Sequence, residues 1–225
     1  MTAAGSDSDV PGWLTALASA AAGMPVPVAL RPRPGGRPAA VLILFGQGPA
    51  GPDLLLLQRG PRLRQHAGQP AFPGGAIDAA DGGPVQAALR EAAEEARVDP
   101  SGVQVLTVLP DLFVPRSGYT VTPVLAWWRR PAPVGPGDPV EVAAVARVAV
   151  SELADPANRV SIRLPSGVSG PAFRVGGMLV WGFTALVVDR LLKLGGWEIP
   201  WDAGRAEDLP AEAAMAASGE QGTIT

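Results

Sequence analysis

The sequence lacks cysteine altogether and contains a single histidine, His66, among its 225 residues. The absence of cysteine excludes disulfide frameworks, thiolate metal sites and cysteine nucleophiles. A bound metal ion would therefore need oxygen ligands or His66. Long apolar runs are missing as well, because the run 178–188 is followed at once by Asp189 and Arg190. A membrane-crossing helix needs about 20 predominantly apolar residues, so we predict no membrane span.

An excess of positive charge is also missing, since the formal net charge is −3. Proteins that bind duplex nucleic acid through its phosphates need a broad basic surface, and we predict no nucleic-acid partner. Asp7 and Asp9 occupy the region where a secretory signal would be positively charged. We therefore expect a cytoplasmic protein that binds a small molecule, and the sequence leaves its oligomeric state open.

Composition divides the chain into three parts. Residues 1–36 form an N-terminal arm, with a short amphipathic helix predicted over 11–23 and a stiff, extended segment, RPRPGGRP, after it. Residues 37–200 carry the short apolar runs of a folded domain. Residues 201–225 are rich in alanine and acidic residues, a composition from which we predict a mobile tail.

The pattern of the middle part predicts an α+β fold. Helices are expected over 84–97 and 181–195, with a helical turn over 151–159. Strands are expected over 39–45, 53–59, 103–109, 119–128 and 143–150, and in a pair around 160–165 and 172–177. Because several strands separate the long helices, we predict a mixed sheet packed against helices and not a parallel doubly wound sheet.

The helix predicted over 84–97 carries three glutamates, Glu91, Glu94 and Glu95, on one face. An apolar stripe at helical spacing is expected to face inward, so that the acidic face points away from the core; its members are Val85, Leu89, Ala92 and Ala96. Three carboxylates on one face suit a hard divalent cation that also bridges to substrate phosphates. The alternative is an ordinary solvated face.

The stretch before this helix is positively charged and then rich in glycine. Arginine guanidinium groups suit phosphate oxygens, and no acid interrupts the segment that holds Arg59, Arg62, Arg64 and His66. The FPGG turn that follows lets the backbone of Gly74 and Gly75 approach a ligand, and a carbonyl there could bind a metal. We predict a site for a metal-complexed polyphosphate. Ordinary surface charge is the alternative for the arginines, and a backbone-bonded loop residue is the alternative for His66.

The segment GGAIDAADGGPVQAALREAAEEARV resembles the signature of the Nudix hydrolases. The matching positions are Gly75, Asp81, Arg90, Glu91, Glu94, Glu95 and Val98. Two positions depart from the signature: Asp81 replaces a glutamate, with one extra residue before Arg90, and Arg97 stands where a glycine is usual. The first changes the reach of the acid toward Arg90, and the second makes a left-handed helix end harder to form. The resemblance implies a Nudix fold, with a mixed sheet between helices, and hydrolysis of a substituted diphosphate.

The preceding residues are similar to one branch, the coenzyme A pyrophosphatases. In that branch a run of the form L-x-x-H-x-G-x-x-x-F-P-G-G leads into the signature, and the run from Leu63 to Gly75 matches it in register. Pro70 departs from the usual aliphatic residue and removes a backbone donor. The resemblance implies that coenzyme A or a derivative is cut to 3′,5′-ADP and 4′-phosphopantetheine. It extends from about Ala39 to Leu194.

The same resemblance implies roles for individual residues. Glu91, Glu94 and Glu95, with the Gly75 carbonyl, would hold Mg²⁺ or Mn²⁺, and Arg90 would orient a glutamate. Glu91 is the predicted base, and another of the three glutamates or a metal-bound hydroxide is the alternative. The residues predicted to contact substrate are Arg59, Arg62, Arg64, His66, Gly74 and Gly75. Three tryptophans either stack on adenine or belong to the core, which their apolar contexts favour; they are Trp127, Trp128 and Trp181.

Two other functions are compatible with these residues. The same apparatus could act on ADP-ribose, a nucleotide sugar or a nucleoside triphosphate, because only the run before the helix favours coenzyme A. A module that binds a nucleotide without cleaving it is the second alternative. Loss of acidic ligands would indicate it, and Glu91, Glu94 and Glu95 are all present.

Overall fold

A mixed sheet of eight strands forms the centre of the protein, in a computed structural model that describes residues 9–61, 63, 67–164, 167–204, 206–210 and 213. The strands β1 and β7 run parallel at its middle, and the other pairs in this sheet are antiparallel. The eight strands are β1 (Arg37–Gly48), β2 (Gly51–Arg59), β3 (Pro70–Ala71), β4 (Gly74–Ala76), β5 (Val103–Val108), β6 (Leu112–Val114), β7 (Tyr119–Trp128) and β8 (Val142–Ala149).

A second sheet of four strands follows in the C-terminal part, with the order β11-β10-β9-β12. Its strands are β9 (Arg159–Arg163), β10 (Ser169–Val175), β11 (Met178–Val180) and β12 (Ala206–Asp208). The helices are α1 (Gly12–Ala22), α2 (Pro84–Ala96), α3 (Val150–Ala154) and α4 (Gly182–Leu194). In the part of the chain that the structure describes, no helix is long and apolar enough to cross a membrane.

The main sheet lies between helices, as predicted. Successive side chains of β1 alternate between its two faces. Leu42 and Leu44 pack with the buried alanines of α2 on one face, whereas Ile43 and Phe45 join the core cluster that contains α1, α3 and α4 on the other. The α+β prediction is therefore confirmed, and the second sheet is an addition to it.

Helix α1 packs onto the domain through its tryptophan. The Trp13 ring lies 5.6 Å from Phe45, 6.3 Å from Trp127 and 5.1 Å from Trp197 in edge-to-face contacts. Trp127 and Trp128 are each 1% exposed, so these two tryptophans belong to the core and are closed to a ligand.

Part of the acidic tail is packed against the second sheet. Strand β12 pairs with β9 in parallel, and Leu209 is buried beside Val160 and Ile162. Glu207 and Asp208 form ion pairs with Arg174 and Arg163. The prediction of a mobile tail is therefore wrong for residues 206–209, because an apolar side chain and backbone pairing fix this segment. Residues 211–212 and 214–225 lie outside the described residues.

Candidate active site

The acidic helix α2 is held close to the sheet by small side chains. Ala88, Ala92 and Ala96 are fully buried against β1 and β7. The helix ends at Arg97, which adopts the left-handed conformation, with φ 57° and ψ 32°. The amide of Val98 then donates to the carbonyl of Ala92 at 3.1 Å. Arg97 thus makes the turn for which glycine is usual, and the helix keeps its normal end.

Glu95 is buried, which corrects the prediction that all three glutamates point away from the core. Only 7% of Glu95 is exposed, because the Gly74 segment and Arg59 cover it. The Gly74 amide donates to Oε2 at 2.9 Å, and Arg59 Nη1 lies 3.2 Å from Oε1. Burial raises the pKa of Glu95 to about 7, although the Gly74 amide and Arg59 act in the opposite direction.

Glu91 lies against Gly75 at the same end of β4. A Cβ on Gly75 would come within 2.5 Å of Glu91 Oε1, so any larger residue would displace this carboxylate from its position. Burial raises the pKa of Glu91, and its hydrogen bond with Arg90 lowers it by less. The close approach explains in physical terms why a glycine precedes the acidic helix at this position.

Arg90 ties three acidic side chains together. Its Nε and Nη2 donate to the two oxygens of Asp81 at 3.0 and 2.9 Å, a two-pronged contact. Its Nη1 donates to Glu91 Oε1 at 2.9 Å and to Glu94 Oε2 at 3.2 Å. The pair with Arg90 lowers the pKa of Asp81. The extra residue before Arg90 therefore leaves Asp81 within reach.

The three glutamates do not converge on one point. The Glu94 side chain is 62% exposed, and its contact described above is the hydrogen bond from Arg90 Nη1. The Glu91 side chain is only 17% exposed. Among the described residues, no three acidic or histidine side chains lie close enough together to hold a metal ion. Each glutamate instead has an arginine as its partner: Arg59 for Glu95, and Arg90 for Glu91 and Glu94.

The residues nevertheless fit a divalent cation by the chemistry of their donors. Glu91 and Glu95 offer hard carboxylate oxygens one helical turn apart, and both contact the glycine backbone of β4. Arg59 and Arg90 now supply the positive charge that these carboxylates require. Glu91, Glu95, the Gly75 carbonyl and, after a side-chain rotation, Glu94 are the groups that would hold Mg²⁺ or Mn²⁺.

Of the predicted substrate contacts, the structure places Arg59, Gly74 and Gly75 together. They line one end of a cavity of about 520 Å³. The Nε of Arg59 is buried and has no hydrogen-bond partner among the residues that the structure describes. Arg62, Arg64 and His66 lie outside the described residues, and their roles stay predictions.

The rest of the cavity comes from segments that the motif did not indicate. One wall is apolar, with Trp181 and Phe183 at the start of α4, and the far end is the turn that contains Arg116 and Ser117. Pro70, at the start of β3, accepts a hydrogen bond from Thr184 through its carbonyl at 3.1 Å. Its missing amide therefore does not prevent β3 from joining α4. These residues lie within the part of the chain that resembles the family, from about Ala39 to Leu194, but no motif in the sequence singles them out.

Comparison with known proteins agrees with this architecture. The family model described as NUDIX domain matches residues 36–164. A protein named uncharacterized Nudix hydrolase NudL, from Escherichia coli K12, is 54% identical over 89 residues, which are 40% of this chain and 45% of that protein. The same values hold for NudL of Shigella boydii serotype 4. The match thus spans about half the length of these curated relatives.

A solved structure supports the fold. The Nudix hydrolase RenU from M. smegmatis superposes with a TM-score of 0.52 and 25% identity, covering 74% of this chain and 89% of that one. The matched family region contains helix α2, strand β4 beside it and all the strands of the main sheet. The chain belongs to the Nudix hydrolase family.

Proposed function

We propose that the protein is a metal-dependent pyrophosphohydrolase that cuts the diphosphate of coenzyme A or a derivative, giving 3′,5′-ADP and 4′-phosphopantetheine. The observation that carries the proposal is the joint placement of Glu91 and Glu95 against Gly74 and Gly75, two residues that line a cavity large enough for a nucleotide. The run from Leu63 to Gly75 supports coenzyme A over other diphosphates.

The chain's own residues position the reactants. Arg90, fixed by Asp81, sets the direction of the Glu91 carboxylate. A bound Mg²⁺ or Mn²⁺ would neutralise the diphosphate charge and lower the pKa of a water. Glu91 is the predicted base, and Glu95 shares the metal. Arg59, once released from Glu95, faces the cavity and offers its guanidinium to the diphosphate.

Product analysis by chromatography tests the proposal. Purified protein is incubated with coenzyme A, ADP-ribose or a nucleoside triphosphate, each with Mg²⁺ or Mn²⁺, and Glu95→Gln serves as the inactive control. We expect 3′,5′-ADP and 4′-phosphopantetheine from coenzyme A, at a rate that Glu95→Gln lowers by about 100-fold or more.

The other outcomes are informative. Faster cleavage of ADP-ribose or a triphosphate would keep the hydrolase and reject coenzyme A as the preferred substrate. Binding of these nucleotides without cleavage, under both metals, would leave the non-catalytic alternative.

A further inference from the structure

Arg116 lines the cavity at its far end, and we group it with three arginines of the neighbouring chain segment that do not line the cavity, Arg31, Arg33 and Arg37, as the arginine rim. Within the described residues, none of these four forms an ion pair with an acid. The acidic residue nearest to Arg116 along the chain is Asp111, which accepts a hydrogen bond from Thr122 at 2.6 Å. Thr122 does not line the cavity, whereas its neighbour Val121 does. The rim is therefore positive and unneutralised beside an apolar cavity.

Arg37 holds the turn that carries Arg116. Its Nη2 donates to the Ser117 carbonyl at 2.8 Å, and its guanidinium lies 4.2 Å from the Tyr119 ring centre. Arg33 stacks in the same way over Phe113 at 5.3 Å. These contacts fix the backbone of the turn. Arg116, which lines the cavity and is exposed, has no hydrogen bond or ion pair among the described residues, so its donors are open to a ligand.

The two charged ends are too far apart to hold one diphosphate. Strand β1 lies between β4 and β7, with Gly75 opposite Ala40 and Tyr119 opposite Arg37. Strand spacing and rise place the Tyr119 turn about 10 Å across the sheet and about 10 Å along it from Gly75. Trp181 and Phe183 lie on the apolar wall of the same cavity. A ligand that contacts both ends through anionic groups therefore needs a second anionic group beyond its diphosphate.

We propose that Arg116 binds a second anionic group of the substrate, the phosphate on the 3′ position of the ribose, and thereby determines specificity. This inference rests on the proposed function, because coenzyme A has such a phosphate and dephospho-coenzyme A lacks it. The guanidinium presents several N–H donors to phosphate oxygens. Arg37 is a positioning residue, since it acts through the turn.

The test compares kcat/KM for coenzyme A and dephospho-coenzyme A in the wild type, Arg116→Met and Arg116→Lys. Arg116→Met should lower the value for coenzyme A about tenfold, as expected for one partly exposed charged contact. It should leave dephospho-coenzyme A within about twofold, and Arg116→Lys should keep most of the preference because it keeps the charge. Arg174→Met is the matched control, since Arg174 is exposed and does not line the cavity.

A binding measurement separates this inference from the proposed function. Calorimetric titration of the wild type and Arg116→Met with 3′,5′-ADP and with 5′-AMP needs no turnover. We expect the wild type to bind 3′,5′-ADP about tenfold more tightly than 5′-AMP, and the variant to lose that preference. If the wild type cleaves no coenzyme A but keeps the preference, the substrate proposal fails and the subsite stands. Equal preference in wild type and variant, or equal loss on both substrates, overturns the subsite.

Discussion

Two charged groups beside the cavity are built in opposite ways: the carboxylate end, which lies against Gly74 and Gly75, and the arginine rim. At the carboxylate end, Glu91, Glu94 and Glu95 each have an arginine within 3.2 Å, and Glu95 is buried. At the arginine rim, Arg116 is exposed and has no acidic partner in the part of the chain that the structure describes. Buried charges need partners, while exposed ones do not. The carboxylate end is therefore preorganised for chemistry, and the rim is open for binding.

Substitutions in the two groups should therefore affect different sets of substrates. A change at the carboxylate end displaces groups that share their partners, so its effect should reach every substrate. A change at the rim removes one contact and should affect only substrates that have a second anionic group.

Gly75→Ala should disrupt the carboxylate end most strongly. The new Cβ would lie 2.5 Å from Glu91 Oε1 and 2.6 Å from its Cδ, so the carboxylate must move. We expect kcat/KM to fall about 100-fold for every substrate, the usual consequence of displacing a catalytic group by about 1 Å. Steady-state kinetics measures the loss. Gly170→Ala is the control, because its Cβ meets nothing within 4 Å, and an active Gly75→Ala would argue against the assigned site.

The buried Glu95 should make stability depend on pH in the absence of metal. Its pKa is about 7 in the fold against an ordinary 4.5, so the folded protein holds this proton more tightly than the unfolded chain. The free energy of unfolding therefore falls as pH rises from about 4.5 to about 7. Relative to Glu95→Gln, which lacks this titration, the wild type should lose roughly 2–3 kcal/mol across that range. Denaturant unfolding of both proteins in chelator, at several pH values, measures the difference, and parallel curves would contradict the buried ionisable state.

Asp81→Asn should loosen Arg90 without removing a carboxylate from the helix. The two-pronged ionic contact with Arg90 is lost, so Arg90 and Glu91 are less well fixed. We expect kcat to fall about tenfold with little change in KM, as is usual for a residue that orients a metal-binding side chain through hydrogen bonds. Asp155→Asn, a change at a short helical turn in another part of the chain, is the control, because this side chain likewise accepts a backbone hydrogen bond, from Ala157. A rise in KM alone would instead place Asp81 in substrate binding.

Arg97→Gly should have the smallest effect and should leave catalysis unchanged. Arg97 has φ 57°, a conformation that favours glycine. Glycine there should raise the free energy of unfolding by about 1 kcal/mol, or the melting temperature by about 2–4 °C for a chain of this size. Thermal unfolding with an activity assay checks both, and a loss of activity would assign the guanidinium a role beyond the helix end.

Much of the fold was predictable because apolar periodicity determines it. The apolar runs around Leu42, Leu55 and Val124 are separated by segments that contain glycine and proline, and they form three strands of the main sheet. The helix over Pro84–Ala96 was predictable from its proline start and apolar stripe. The pairing of β12 with β9 was not, because it joins segments about 45 residues apart through one buried leucine and two exposed ion pairs.

The site was predictable in its residue types and less so in its geometry. Spacing placed Glu91, Glu94 and Glu95 on one helical face, but it could not show that the Gly74 segment folds over Glu95. Arg116 carries no local pattern, and it reaches the cavity only because β7 lies beside β1. Both features depend on contacts between segments that are distant in the sequence. Such contacts produce no periodic pattern from which they could be predicted.

Binding of Mn²⁺ to the metal-free protein, measured by electron paramagnetic resonance, tests whether the carboxylate end holds the metal. Glu95→Gln and Arg116→Met are measured for comparison. We expect the wild type to bind Mn²⁺, Glu95→Gln to bind it at least about tenfold more weakly, and Arg116→Met to bind it like the wild type. Binding that Glu95→Gln leaves unchanged, or no binding even with coenzyme A present, would contradict the assignment of the carboxylate end as the metal site.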